Sequence, residues 1–410
     1  MLVRGGHVID PTQELDGRFD VRTAHGLIAE IGDHLEPAQA EEVLDAQGAC
    51  VAPGFIDMHV HLREPGFPEK ETIATGAAAA LAGGFTAIAC MPNTNPAIDS
   101  VDVIAQVAGA ADEAKLARVY PIAAITRGRR GQELLDYAAL AAAGAVGFSD
   151  DGDWVMDSRT LFDAAQAAQN VERRFISHCE DERLRAGALS VRAAEDVVVA
   201  RDLIIAQHAR KAWHIAHLST RGALALMRWA RSSGIDATCE VTPHHLHFTD
   251  DLIAERGGKA KVHPPLRRPE DVAALREGVR DGTIDAFASD HAPHGTAEKE
   301  LDFNRAAPGF SGLEIAVGAY ALAVPGLALK RFVELLSTNP ARILGVPGGS
   351  LRVGSSADMT LFADRPWIVD SARFYSKGRA TPFDGVTLPR RALATVVGGR
   401  LLMRDGKIRA

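Results

Sequence analysis

Four histidines and two aspartates of the sequence have the types and spacing of metal ligands. His59 and His61 lie at the end of a short apolar run with one residue between them. The two-residue period of a β-strand therefore points both imidazoles to the same side. The alternative is two unrelated histidines at a strand edge. Four more residues end or directly follow other apolar runs: Asp151, His178, His217 and Asp290. Imidazole nitrogens and carboxylate oxygens bind hydrolytic metal ions such as zinc, so the set predicts a metal site.

Six ligands are more than one tetrahedral ion uses, because a catalytic zinc takes about three protein ligands and keeps one position open. The set therefore indicates two ions. A carboxylate can bridge a metal pair, and water held between two ions exists as hydroxide near neutral pH. The pattern predicts a hydrolase whose nucleophile is a metal-bridged hydroxide. Spacing alone leaves open whether Asp150 or Asp151 is the bridge.

A β/α alternation across residues 54–345 must position these ligands. Helices are predicted at 72–82 and 134–143, each closed by glycine, and apolar runs predict eight parallel strands at 54–59, 85–91, 119–124, 145–149, 174–178, 213–217, 237–241 and 285–289. Eight such units predict an α/β fold, a TIM-type (β/α)8 barrel, whose active sites lie at the C-terminal strand ends. The competing doubly wound sheet usually carries a G-x-G-x-x-G turn, and the sequence has none.

Residues 1–53 and 346–410 follow a different pattern, with short runs typical of β-strands rather than a β/α alternation. Each end alone is too short to bury a comfortable core. We therefore expect the two ends to combine into one small β-sandwich domain beside a barrel domain of residues 54–345.

Composition excludes several function classes. The 45 basic and 53 acidic residues give a net charge of −8, so no global positive field is available for nucleic acid or an anionic membrane. The N-terminus lacks the apolar core of a secretion signal, and no run reaches the roughly 18 apolar residues of a membrane span. The four cysteines form no C-x-x-C pair, which fits a reducing cytoplasm. We expect a cytoplasmic enzyme that acts on a small molecule.

The segments around the ligands carry a connected set of motifs: PGFIDMHVHLREPG (53–66), GFT (84–86), MPNT (91–94), DDG (150–152), HCED (178–181), EVTPHH (240–245) and SDHAPH (289–294). Together they resemble the amidohydrolase superfamily in its class I dihydroorotase form. The resemblance implies reversible cyclisation of N-carbamoyl-L-aspartate to L-dihydroorotate in de novo pyrimidine biosynthesis. It also implies two zinc ions, with Asp151 as the bridge and the other ligands divided into His59, His61 and Asp290 on one ion and His178 and His217 on the other.

The same resemblance implies that Asp290 is catalytic, taking the proton of the attacking hydroxide and delivering it to the departing ring nitrogen. The substrate keeps a second carboxylate that does no chemistry, and arginine binds such a group through two parallel hydrogen bonds. Arg63, two residues past the His-x-His pair, suits this role. The alternative is a surface salt bridge with Glu64 or Glu69.

Further substrate contacts are suggested by the resemblance at Asn93 and His294. The chain departs from the family at His263, where members commonly have asparagine, and an imidazole there could still donate a hydrogen bond. It also has the order Pro308, Gly309, Phe where Pro-Phe-Gly is usual. We expect Pro308 and Gly309 to contact the substrate, at the end of a polar stretch that covers the site.

Two other functions fit part of the pattern. Hydantoinases and allantoinases share the barrel but generally place a carboxylated lysine at the bridge, and residues 147–152 (GFSDDG) contain none, which favours the dihydroorotase branch. A non-catalytic dihydroorotase-like subunit that scaffolds an aspartate transcarbamoylase is the third candidate. Such proteins tend to lose metal ligands, whereas all six are present here. The sequence leaves open whether the chain forms a homodimer or a complex with an aspartate transcarbamoylase.

Overall fold

The computed structural model describes residues 1–185 and 191–409. In chain order, the strands are β1 (Leu2–Asp10), β2 (Leu15–Ala24), β3 (Leu27–Gly32), β4 (Val43–Asp45), β5 (Cys50–Pro53), β6 (Phe55–Val60), β7 (Phe85–Cys90), β8 (Arg118–Pro121), β9 (Gly147–Phe148), β10 (Arg174–Ser177), β11 (Trp213–Ile215), β12 (Ala237–Val241), β13 (Ala286–Phe287), β14 (Met359–Ala363), β15 (Trp367–Ile368), β16 (Thr387–Leu388), β17 (Arg391–Val397), β18 (Arg400–Arg404) and β19 (Lys407–Ile408).

The α-helices are α1 (Ile73–Gly83), α2 (Val101–Ala114), α3 (Tyr137–Ala142), α4 (Ser158–Ala167), α5 (Glu182–Arg185), α6 (Ala193–Ala209), α7 (Arg221–Ser232), α8 (Pro243–His247), α9 (Asp251–Arg256), α10 (Pro269–Arg280), α11 (Thr296–Lys299), α12 (Ala316–Ala323), α13 (Leu329–Val333) and α14 (Asn339–Leu344). Within the described ranges, none of them is both long enough and apolar enough to cross a membrane.

Strands β6 to β13 run parallel and alternate with helices. Strands β6, β7 and β8 form one sheet, and β9 to β13 form a second in sequence order. Isolated parallel bridges join Ala123 to Phe148 and Val60 to His291, which links both edges of the first sheet to the second. Strands β6, β7 and β12 are buried at every residue, as expected when both faces of a parallel sheet are covered. The C-terminal ends of these strands therefore meet on one side of the structure.

Each of the eight predicted apolar runs overlaps a strand, although β9 is only two residues long within the predicted 145–149. Helix α1 begins after Thr72, whose side chain caps the backbone N–H of Thr75, and ends at Gly84 with φ of 94°. Helix α3 starts at Tyr137, later than predicted, because the side chain of Asp136 accepts the N–H of Ala139 and so fixes the first turn there.

Both ends of the chain contribute strands to one nine-stranded sheet. Its order is β19-β18-β17-β14-β5-β1-β2-β3, with β4 beside β1. Strands β5 and β14 pair antiparallel, with Pro53 opposite Met359. Buried side chains such as Val8, Val51 and Leu361 form an apolar cluster on this sheet. The N-terminal strands are thus held by strands that lie much later in the chain.

Candidate metal centre and active site

All six predicted ligands meet at the C-terminal ends of the parallel strands. His59 lies in β6, His61 follows it directly, and the other four follow β9, β10, β11 and β13: Asp151, His178, His217 and Asp290. None of the six is more than 7 % exposed. The strand order therefore places side chains from five strands in one buried cluster.

Asp151 lies within 4 Å of all four imidazoles. Its Oδ1 is 3.4 Å from Nδ1 of His178, 3.5 Å from Nε2 of His59 and 3.8 Å from Nε2 of His217. Its Oδ2 is 3.5 Å from Nε2 of His61. One carboxylate thus touches both halves of the histidine set.

The neighbouring Asp150 has different partners. Its carboxylate accepts the backbone N–H groups of Ile125 and Thr126, at 2.8 and 3.1 Å, and the Thr126 hydroxyl at 2.5 Å. It therefore holds the segment after β8 in place. Of the two adjacent aspartates, Asp151 is the one that contacts the imidazoles.

Asp290 faces the His-x-His pair. Its Oδ1 is 3.1 Å from Nε2 of His61 and 3.6 Å from Nε2 of His59. Its φ is 46°, and His217 and Arg63 also have positive values, 32° and 61°. Residues other than glycine rarely adopt this region, and it persists only where surrounding contacts impose it. Three residues of the predicted site therefore have strained backbones.

Electrostatics in the cluster favour ionised carboxylates. Burial opposes their ionisation, but hydrogen bonds and charges from nearby imidazoles outweigh it and hold the pKa values of Asp151 and Asp290 below their usual range. Burial would lower the pKa of His178, yet Asp151 and Glu180 raise it to about 10. For His61 burial dominates, and its pKa is lowered. The two aspartates thus make the cluster attractive to positive charge.

Several buried polar atoms of the cluster have no hydrogen-bond partner among the described residues, namely Nε2 of His59, Nδ1 of His217 and Oδ1 of Asp151. Burying such atoms unpaired is costly. Ligand atoms approach one another closely enough to hold an ion in two groups, His59 with His61 and Asp290, and His59 with Asp151 and His217. His178 lies outside both groups, although its Nδ1 is 2.9 Å from Nε2 of His217.

A cavity of about 160 Å³ adjoins the cluster. Its lining contains five of the predicted ligands and every predicted substrate contact, the latter being Arg63, Asn93, His263, His294, Pro308 and Gly309. The volume is below the roughly 300 to 1,000 Å³ typical of drug-sized ligands. The cavity therefore suits a small molecule.

The side chain of Arg63 forms part of the cavity wall. Its Nε donates to the carbonyl of Pro293 at 3.3 Å, and its Nη2 lies 3.2 Å from Nε2 of His294. Burial lowers the pKa of Arg63 to about 10, which leaves it cationic at neutral pH. Within residues 1–185 and 191–409, Arg63 forms no ion pair with Glu64 or Glu69, and the carboxylate of Glu64 instead accepts the N–H of Ile73. The side chain therefore does not form the surface salt bridge that was the alternative.

Asn93 contacts a predicted ligand as well as the cavity. Its Oδ1 accepts the Nδ1–H of His61 at 2.9 Å. With Nδ1 bound to Asn93, Nε2 is the nitrogen of His61 that faces the carboxylates of Asp151 and Asp290. The residue predicted to bind substrate thus also sets the orientation of an imidazole.

His263, which replaces the usual asparagine, is held by a second arginine. Nη1 of Arg185 donates to Nδ1 of His263 at 2.6 Å and lies 3.3 Å from Oε2 of Glu180. Burial, reinforced by the charge of Arg185, lowers the pKa of His263 to about 4. The imidazole is therefore neutral near physiological pH.

Sequence reasoning missed two buried carboxylates that contact predicted ligands. Glu240 lies on β12 with its Oε1 2.7 Å from Nδ1 of His59, and Asp57 accepts the backbone N–H groups of His59 and Ser289. A signal existed for Asp57, because it shares the two-residue period of His59 and His61. Glu240 opens one of the sequence motifs, but nothing in its spacing indicates His59 as its partner.

Known proteins resemble the chain over its whole length. Residues 48–223 match the model of the Dihydro-orotase-like family. The Dihydroorotase of Syntrophus aciditrophicus is 43% identical, with 99% of each chain covered, and that of Pelotomaculum thermopropionicum is 45% identical over 100% of both. Among solved structures, the L-hydantoinase (dihydropyrimidinase) of Arthrobacter aurescens superposes with a TM-score of 0.89 at 25% identity, covering 100% of this chain and 97% of that one. This chain belongs to the dihydroorotase family.

Proposed function

We propose that the protein is a dihydroorotase, which interconverts N-carbamoyl-L-aspartate and L-dihydroorotate by forming or opening a cyclic amide. The observation that carries the proposal is the convergence of four imidazoles and two carboxylates beside a small cavity lined by Arg63. Full-length similarity to two proteins named Dihydroorotase supports it. A non-catalytic scaffold is not favoured, because all six ligands lie together. Association with a second copy or with an aspartate transcarbamoylase stays a prediction, which gel filtration of the purified protein tests.

The proposal includes the architecture that such a site requires. Strands β6 to β13 would close into a (β/α)8 barrel spanning residues 54–345, and the two parallel bridges between the sheets support this closure. Residues 1–53 and 346–410 would form a composite β domain around the nine-stranded sheet. The likeness to the hydantoinase of Arthrobacter aurescens supports the arrangement.

The residues of the cluster fit two zinc ions. Lone pairs on Nε2 of His61 and carboxylate oxygens face one another at 3.1 and 3.5 Å, an arrangement that only a cation or a proton makes favourable. His59, His61 and Asp290 would hold one ion, His178 and His217 the other, and Asp151 would bridge them. When bound, the ions would supply Lewis acidity toward the substrate carbonyl and lower the pKa of water to near neutrality.

Asp290 would hold and move the proton. Its lowered pKa keeps the carboxylate ionised near neutral pH, so Oδ1 can accept a proton. In the hydrolytic direction Asp290 would return this proton to the departing ring nitrogen, and in the biosynthetic direction it would take the proton from the carbamoyl nitrogen. Arg63, cationic and buried in the cavity wall, would bind the carboxylate that does not react, beside Asn93 and His294.

Assays of the zinc-replete protein with L-dihydroorotate and with hydantoin test the proposal. We expect ring opening of dihydroorotate, its loss after dialysis against a chelator, and its return with zinc. Turnover of hydantoin but not of dihydroorotate would mean that the protein is a hydantoinase-like enzyme instead. Stable zinc binding with neither activity would leave the scaffold as the remaining reading.

A further inference from the structure

Glu240 is a fully buried carboxylate that the proposed reaction does not use. It lies in β12, and its Oε1 is 2.7 Å from Nδ1 of His59. The same oxygen accepts the backbone N–H of His217 at 3.3 Å, and its Oε2 is 3.2 Å from Nε2 of His214. One side chain therefore contacts a residue from each half of the predicted metal centre.

The contact with His59 determines where the proton of that imidazole sits. An ionised carboxylate can only accept hydrogen bonds, so Nδ1 of His59 must carry the hydrogen. Its Nε2 is then the nitrogen available to a metal ion, and this atom has no hydrogen-bond partner among the described residues and lies 3.5 and 3.6 Å from the carboxylates of Asp151 and Asp290. Metal-binding histidines commonly owe their tautomer and ring orientation to such a carboxylate.

The contact with His217 acts on the backbone. His217 has φ of 32°, a strained value for a residue other than glycine. The side chain of Glu240 accepts its N–H, and the carbonyl of Glu240 accepts the N–H of Leu218 at 2.9 Å. Glu240 thus binds the N–H groups of the two peptide units on either side of the Cα of His217, the residue whose imidazole lies 3.8 Å from Asp151.

Glu240 is itself fixed by a short relay. His214 donates from Nε2 to Oε2 of Glu240, so its Nδ1 is free to accept the hydroxyl of Thr238 at 2.8 Å. All three side chains are buried, His214 and Glu240 completely. The relay connects β11 and β12 and leaves the carboxylate with little freedom to rotate.

We propose that Glu240 is the positioning residue shared by both halves of the metal centre, setting the tautomer of His59 and the backbone of His217 together. The inference rests on the metal-binding part of the proposed function and not on the identity of the substrate. Glutamine at this position keeps the shape but is neutral and carries an NH₂ group in place of one oxygen, so either the oxygen shared by His59 and His217 or the one facing His214 is lost as an acceptor. Loss of the carboxylate should therefore weaken both ligand groups at once.

The test compares Glu240→Gln with Asp271→Asn, a matched change of a fully buried carboxylate that binds Arg192 and the N–H of Arg221 away from the cluster. Zinc affinity of each metal-free protein is measured by competition with a chromophoric chelator. We expect Glu240→Gln to bind zinc about 10- to 100-fold more weakly, and Asp271→Asn to bind like the wild type. Two-bond ¹H–¹⁵N spectra of the metal-free, histidine-labelled proteins should show His59 protonated at Nδ1 in the wild type, and a larger share of the Nε2–H tautomer in Glu240→Gln.

A folded Glu240→Gln protein with wild-type zinc affinity and an unchanged His59 tautomer would overturn the inference. If that variant does not fold, Thr238→Val, which removes only the hydroxyl at the start of the relay, is measured in the same titration. A several-fold weaker affinity supports the inference, and an unchanged affinity overturns it. If the wild-type protein binds zinc but does not turn over dihydroorotate, the proposed function is wrong, whereas the proposed role of Glu240 in zinc binding is unaffected.

Discussion

Oδ1 of Asp290 lies 3.1 Å from Nε2 of His61, although 229 positions separate the two residues in the chain. The carboxylate is therefore held against an imidazole while it borders the cavity. Because we assign Asp290 both a ligand and a proton-transfer role, Asp290→Ala should lower kcat for dihydroorotate hydrolysis by at least about 10³-fold. Steady-state kinetics with circular dichroism checks this. An unaffected rate in a folded variant would remove Asp290 from the mechanism.

Asp150 and Asp151 should respond differently to the same substitution. Asp151→Ala removes the carboxylate that touches all four imidazoles, so the zinc content should fall while the fold persists. Asp150→Ala leaves two backbone N–H groups and the Thr126 hydroxyl buried without their acceptor, so the free energy of unfolding should fall by about 2 to 4 kcal/mol. Urea unfolding and metal analysis of both variants distinguish these effects. The reverse pattern would mean that Asp150 is the bridge.

Arg63→Lys should mainly raise KM. Lysine keeps the charge but cannot form two parallel hydrogen bonds with a carboxylate. Losing one charge-assisted hydrogen bond of roughly 1.5 to 3 kcal/mol corresponds to a KM increase of about 10- to 100-fold. Steady-state kinetics measures it, with Arg127→Lys as the control, because Arg127 forms an exposed pair with Glu133. Equal KM values for both variants would argue against the carboxylate role.

His263→Asn restores the residue that the family commonly has, and its effect on KM should not depend on pH between about 6 and 9. Burial lowers the pKa of His263 to about 4, so the imidazole is neutral throughout this range and both side chains act as neutral hydrogen-bonding groups. Profiles of KM against pH for the two proteins should therefore run parallel. A ratio that changes near pH 6.5 would show that His263 becomes charged in the site.

Glu314 should make stability fall as the pH rises from about 4.5 to 7. Burial and the charge of Glu71 raise its pKa to about 7, against hydrogen bonds from the backbone of Ser376 and Tyr375. The folded state therefore keeps a proton that the unfolded state has lost, and stability is lost as pH rises through the folded pKa. Glu314→Gln should be more stable than the wild type by about 1 to 3 kcal/mol at pH 8 and equal to it at pH 4. Urea unfolding at both pH values checks this, with exposed Glu255→Gln as control.

The cluster of predicted ligands could be predicted because its residues lie at regular positions in, or directly after, the apolar runs of the sequence. His59 and His61 share one face of a strand, and Asp151, His178 and Asp290 each follow an apolar run, so parallel strands bring them to one edge. The two-residue strand β9 was still identifiable because glycine and aspartate bracket its apolar run. These features depend on residues that are close together in the sequence, so a local sequence pattern is enough to predict them.

Features that depend on distant partners could not be predicted. Glu240 is defined by contact with His59, 181 positions away, and no local pattern encodes that distance. The positive φ of Asp290 and His217 depends on surrounding contacts, and no local sequence pattern predicts it, since residues other than glycine rarely adopt this region. The polar stretch expected to cover the site contains helix α11, and the buried Nζ of Lys299 joins this helix to the distant carbonyl of Lys261 and to that of Ala307.

The pairing of β5 with β14 sets an order of events during synthesis. Pro53 cannot pair until Met359 has been synthesised. About 300 residues separate the two, which corresponds to roughly 15 to 60 s at ordinary translation rates. Until then β1, β2 and β3 can form their hairpins, but β5 has one free edge on the ribosome-bound chain. Hydrogen exchange on nascent chains stalled before residue 359 should find the β5 amides that face β14 unprotected, and those of β2 already protected. The parallel strands β6 to β13 are thus made while the neighbouring sheet is still incomplete.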